Sequence, residues 1–97
     1  MFHHVAMFRF KDGTTADQVA AVDAALASLP DQIDVLAGYR FGPDAGVTEG
    51  SWDYVVIADL ADAGDFPAYR NHPAHAAAVA DVISPIVVES ARVQFET

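Results

Sequence analysis

Tyr69, His72 and His75 place a phenol and two imidazoles within one seven-residue segment, Tyr69-Arg70-Asn71-His72-Pro73-Ala74-His75. Imidazole titrates near neutral pH and is the side chain best suited to moving a proton there. A nearby phenol can donate a hydrogen bond to an oxygen that gains charge during a reaction. Pro73 disfavours helical geometry at His72, so the segment must break, and the break can turn Tyr69 and His75 toward one cavity. A helix opening at Pro73 puts His75, Val79 and Val82 at i, i+4 and i+7, its inward stripe. Two readings of His75 stay open. It is a core histidine satisfied by one hydrogen bond, or it stands at the wall of a pocket. Ala76, Ala77, Ala78 and Ala80 favour the pocket, because a close-packed interior does not leave such space without a reason. His72 and Asn71 also read as capping or hinge residues, since proline suits the first helical position.

His3 and His4 lie near the N-terminus on opposite sides of a strand, so one faces the helices and the other the far side of the sheet. His4 shares its side with Ala6 and Phe8. On the pocket reading, His75 and Tyr69 are the candidate catalytic groups, with His4, Ala6, Phe8, His72 and Val79 around the substrate. Four histidines raise the question of zinc, but no H-x-x-x-H or H-x-x-E-H spacing occurs. His72 and His75, three apart across a proline, are a weak ligand pair, so no metal is expected. A nucleophile elbow, a phosphate-binding loop and a dinucleotide fingerprint are all missing.

The elements that must position these residues follow from periodicity. Residues 2–10 alternate as a strand, with His4, Ala6, Phe8 and Phe10 on one side. Thr15 and Gln18 form a capping box, and Val19, Val22, Leu26 and Leu29 give the following helix one apolar stripe, ended by Pro30 and Asp31. A second strand is expected over 33–41. A loop rich in Gly, Pro and Asp spans 42–50, and a third strand, apolar on both faces, spans 52–60. Helical pieces over 62–71 and 73–83 flank the break, and a last strand covers 86–95. The order β-α-β-β-α-β predicts an α+β, ferredoxin-like fold with a four-stranded antiparallel sheet. Two helices cover only one face of such a sheet. The other face is apolar too, and the simplest cover is a second copy, giving a homodimer through the sheet face.

The chain has 97 residues, expected to form one domain over 1–97, with 53% hydrophobic residues and a net charge of −9. Its five basic residues, Arg9, Lys11, Arg40, Arg70 and Arg92, are scattered through the sequence. That argues against nucleic acid and against an anionic membrane as partners. No cysteine is present, which fits a reducing compartment, and no signal peptide or membrane-spanning run is visible, so a cytoplasmic location is expected.

The chain resembles the stress-responsive A/B barrel (Dabb) family over nearly its whole length. The resemblance rests on His4-Val5-Ala6-Met7-Phe8-Arg9-Phe10-Lys11, on Thr14-Thr15 opening the first helix, and on Gly38. Its most specific part is the signature Tyr69, His72, Pro73 and His75. The resemblance implies a dimeric α/β barrel. Its olivetolic acid cyclase-type members are cofactor-free polyketide cyclases with a Tyr and a His matching Tyr69 and His75 and a strand His matching His4. It thus implies an intramolecular aldol-type ring closure on an apolar or phenolic small molecule, with His75 as base, Tyr69 as oxyanion donor and no cofactor. Two alternatives are a non-catalytic binding or stress-responsive protein of the same fold, and a cofactor-free monooxygenase, since related dimeric barrels include such enzymes.

Overall fold

The computed structural model describes residues 1–97. Four strands, β1 (Phe2–Phe10), β2 (Leu36–Pro43), β3 (Tyr54–Leu60) and β4 (Val87–Glu96), form one sheet in the order β2-β3-β1-β4. Every neighbouring pair is antiparallel. Helix α1 (Ala16–Ala27) joins β1 to β2. The segment between β3 and β4 holds a 3₁₀ turn (Ala63–Asp65), α2 (Phe66–Arg70), α3 (Pro73–Ala78) and a π-turn (Val79–Ile83). This is the expected ferredoxin-like arrangement, with the helical pieces on one face of the sheet.

Local chemistry explains most boundaries. The Thr15 side chain accepts from the Gln18 N–H and the Gln18 side chain accepts from the Thr15 N–H, the reciprocal box that starts α1. Val22 and Leu26 of α1, with Leu29 and Ile33 beyond it, are buried against Tyr54, Val56, Ala58 and Leu60 of β3. Helix α1 is further tied to the sheet by the Tyr54 hydroxyl, which donates to Asp23 at 2.5 Å.

Three expectations shift. Strand β2 begins at Leu36, three residues later than alternation suggested. Ile33 is buried, but its N–H bonds the Leu29 carbonyl at 2.9 Å, so it closes the turn after α1 instead of pairing in the sheet. Strand β3 begins at Tyr54, because the Asp53 backbone is occupied with Phe8 and Asp44 outside the regular ladder. The inward stripe also differs. The Ser84 N–H bonds the Val79 carbonyl at 2.8 Å, one residue more per turn than in an α-helix. That widening rotates the apolar face, so Ala78 and Ile83 are the buried residues while Val79 and Val82 are half-buried.

Register divides the side chains between the two faces. Toward the helices point Phe2, His4, Ala6 and Phe8 of β1, and opposite them on β4 stand Gln94, Arg92 and Ser90. On the other face lie Val5 and Met7, paired with Ile57 and Val55 on one side and with Val93 and Ala91 on the other. That outer face carries no helix, and Val93 and Phe95 there are 55% and 49% exposed. His3 is also on it.

Candidate functional site

The helices pack over β2 and β3 and leave the β1–β4 half of the same face open. A cavity of about 640 Å³ occupies the gap. Its floor is His4, Ala6 and Phe8 from β1 beside Ser90, Arg92 and Gln94 from β4. Its roof is Phe66 and Arg70 of α2, His75 of α3 and Val79 of the π-turn. The space does not come from the run of alanines. Ala76, Ala77 and Ala80 are exposed, Ala78 is buried, and none of them borders the cavity. It comes from the polar residues of β4, which the helices do not cover.

His75 is held by its backbone neighbourhood. Its Nδ1 lies 2.9 Å from the Arg70 carbonyl oxygen. A carbonyl only accepts, so Nδ1 carries the proton, and the neutral ring has its lone pair on Nε2, which bonds no protein group. Burial lowers the His75 pKa; the bond to the Arg70 carbonyl opposes this, and the charges of Arg70 and His72 push it further down. The ring is therefore neutral at pH 7 and able to accept a proton.

His4 has the complementary tautomer. The Gln94 side-chain amide donates to His4 Nδ1 at 3.0 Å, which leaves the ring proton on Nε2. Burial lowers the His4 pKa, and Arg92, His75 and Arg70 lower it further, in that order. One imidazole on the cavity wall thus offers a lone pair and the other an N–H.

Tyr69 is 3% exposed and lies behind the wall, not on it. Its ring centroid is 4.6 Å from His75 and 6.2 Å from Phe66, the two roof residues it supports. Its hydroxyl is 2.8 Å from the hydroxyl of Tyr39 on β2. Burial raises the pKa of both phenols; the hydrogen bond from Tyr39 works in the opposite direction on Tyr69. With Tyr39 as donor, Tyr69 keeps its own O–H for a further acceptor.

Of the residues singled out from the sequence, His4, Ala6, Phe8, His75 and Val79 meet around the cavity, and Tyr69 lies immediately behind it. His72 does not join them. Its Nδ1 accepts from the Ala74 N–H at 3.0 Å and so caps α3, the role that Asn71 also suggested. Tyr39, Phe66, Arg70, Ser90, Arg92 and Gln94 were not foreseen as site residues. The alternating polar triplet Ser90, Arg92, Gln94 in a strand next to His4 is the one sequence signal that could have found three of them.

The family model for the stress responsive A/B barrel domain (Dabb) matches residues 2–97. The chain belongs to the Dabb family. No curated protein matches it. Among solved structures it is similar to a dimeric ferredoxin-like protein of unknown function from Thermobifida fusca YX, 43% identical, with a TM-score of 0.91 over 99% of this chain and 90% of that one. A dimeric protein of unknown function and ferredoxin-like fold from Bacteroides fragilis NCTC 9343 is 21% identical, with a TM-score of 0.85, and covers 99% of this chain and 95% of its own. The hydroxynitrile lyase of Passiflora edulis is 13% identical, with a TM-score of 0.81 over 97% of this chain and 90% of that chain. At these lower identities the likeness is one of fold, the Dabb fold that frames the cavity.

Proposed function

We propose that this Dabb protein binds an apolar or phenolic carbonyl compound in the cavity and closes a ring in it by a cofactor-free aldol reaction. The observation that carries the reading is His75, a neutral imidazole on the cavity wall with Nδ1 anchored to a carbonyl and Nε2 free. In the proposed mechanism Nε2 takes a proton from the carbon α to a carbonyl. The C–H electron pair passes into the enolate, whose oxygen receives a hydrogen bond from the His4 Nε2–H, while Tyr69, behind the wall, holds the His75 ring in place. The enolate carbon attacks a second carbonyl of the same molecule and forms the C–C bond. The proton on His75 then passes to the new alkoxide, which restores the base. Holding the chain in a near-attack shape supplies the remaining acceleration. Ala6, Phe8 and Val79 supply the apolar walls, and His72 contributes through the cap that orients α3.

A simple ketone tests the first step. With acetophenone in deuterated buffer, the protein is expected to accelerate loss of the α-proton NMR signal. His75→Ala is expected to bring exchange to the buffer rate with its circular dichroism unchanged, and Tyr69→Phe, which keeps the supporting ring, to slow it far less than that. Exchange that persists in His75→Ala removes His75 as the base. Exchange no faster than buffer in the unmodified protein favours the second reading, a binding protein without chemistry. One observation supports that reading: Tyr69 is buried, and its hydroxyl is already engaged with Tyr39.

The protein is further proposed to act as a homodimer through the outer sheet face, two sheets enclosing a barrel. The uncovered Val5, Met7, Val55, Ile57, Val93 and Phe95 support this, as does the relative at 43% identity, which is described as dimeric.

A further inference from the structure

The charge of the cavity is opposite to that of the chain. The sequence carries fourteen acidic and five basic residues, yet the cavity wall holds Arg70, Arg92, His4 and His75 and no carboxylate. Arg9 and Arg40 are neutralised elsewhere, by Glu89 at 3.5 Å and Asp59 at 3.3 Å. No carboxylate lies within 4.0 Å of Arg70 or Arg92. The two guanidiniums come from unconnected parts of the chain, Arg92 from the floor at the Ala6 register and Arg70 from the last residue of α2 in the roof. Gln94, two residues along β4 from Arg92, also lines the cavity, and its amide is fixed on His4. Ala6, Phe8, Phe66 and Val79 form the apolar part of the wall, and Ser90 adds a hydroxyl to the floor. Both guanidinium charges act on His4, so a ligand filling the space meets cationic donors near that ring and hydrocarbon from Phe8, Phe66 and Val79.

We infer that the ligand of this cavity carries a carboxylate, held by Arg92 and Arg70, on an apolar or aromatic body lying against Phe8, Phe66 and Val79. A planar carboxylate fits the guanidinium fork with two parallel hydrogen bonds. The inference rests on the cavity being the ligand site of the proposed function and does not depend on any reaction there. It adds to that function a fixed end for the substrate, the acid held at the arginines.

The test compares two probes of one shape, 4-butylbenzoate and 4-butylbenzamide, at pH 7.5. Binding is measured by calorimetry and by backbone amide shifts of β1 and β4. The acid is expected to bind at least about tenfold more tightly than the amide, the gain of one charge-assisted hydrogen bond. Arg92→Gln and Arg70→Gln are each expected to reduce that ratio, and the double variant to bring it near one. Arg70→Gln leaves the backbone carbonyl that holds His75 in place. Amide binding and thermal melting show that the variants remain folded. Equal affinity for the two probes, no binding of the acid, shifts confined to other surfaces, or a ratio that survives in the double variant would each overturn the inference. Failure of ketone exchange with the acid preference intact sinks the ring-closure reading and leaves this one standing.

Discussion

His4 and His75 are alike in sequence and opposite in role, and the difference lies in what each Nδ1 touches. Gln94 donates to one, and the Arg70 carbonyl accepts from the other. Neither partner could be read from the sequence, because Gln94 is ninety positions from His4 and the Arg70 bond needs the break at Pro73. The types Tyr69, His72 and His75 were legible as a chemical cluster; their division into a supporting ring, a cap and a wall imidazole was not. The lowered pKa of His75 has a direct consequence for rate. The base of the proposed reaction works only when unprotonated, so the rate of the proposed α-proton exchange is expected to fall as pH drops through a value below the ordinary imidazole pKa of about 6.5. The same direction holds for stability. The folded state resists protonation of His4 and His75, whereas the unfolded chain takes up both protons near 6.5. Unfolding free energy is therefore greatest above that pH and declines as pH falls from it toward the depressed folded-state values. Urea titrations from pH 7.5 to 5 check this, and the decline is expected to lessen in a His4→Gln, His75→Gln double variant.

Among the elements, those whose boundaries are set by local chemistry were readable, and those set by partners were not. The capping box fixed the start of α1 from four residues alone. The late start of β2 was hidden, because Ile33 has strand-like character and only the close packing under α1 takes it out of the sheet. The π-turn at Val79–Ile83 was hidden as well, since nothing in Val79-Ala80-Asp81-Val82-Ile83 marks a widened turn. It changes which side of the helix meets the core and leaves Val79 on the cavity wall. Gly38 shows how tightly one strand pair is fitted. A Cβ there would sit 2.7 Å from Asp59 Oδ2, and that carboxylate is held by His3 at 2.6 Å and by Arg40 at 3.3 Å. The hydrogen bond from His3 is the main reason the Asp59 pKa is lowered. Gly38→Ala is expected to displace the carboxylate and destabilise the fold by about 1–2 kcal/mol. Denaturant unfolding checks it, with an unchanged m-value as the sign that only stability has moved.

At the scale of the molecule, the two sheet faces do different work. The helix side is split between a packed half over β2 and β3 and an open half over β1 and β4, and the open half holds the cavity. The outer side is apolar and bare, and the sequence disclosed it through strands with hydrophobic residues on both sides. No helix of the structure is long and apolar enough to cross a membrane. If the bare face joins two copies, Val93→Asp is expected to place a charge in the joint and to halve the mass seen by light scattering, from twice the 10.3 kDa of one chain to a single one. An unchanged mass in that variant means that a different surface joins the copies. The cation–π contact between Arg9 and Trp52, 4.4 Å from guanidinium to ring, has a practical consequence here. Trp52 is the only tryptophan, half-buried beside Met7 and Val55 at the margin of that face. Its emission wavelength is therefore a built-in gauge of whether the margin is wet. A red shift on dilution would trace the separation of the two copies in an unlabelled sample, and the cavity on the far side of the sheet holds no tryptophan to confuse it.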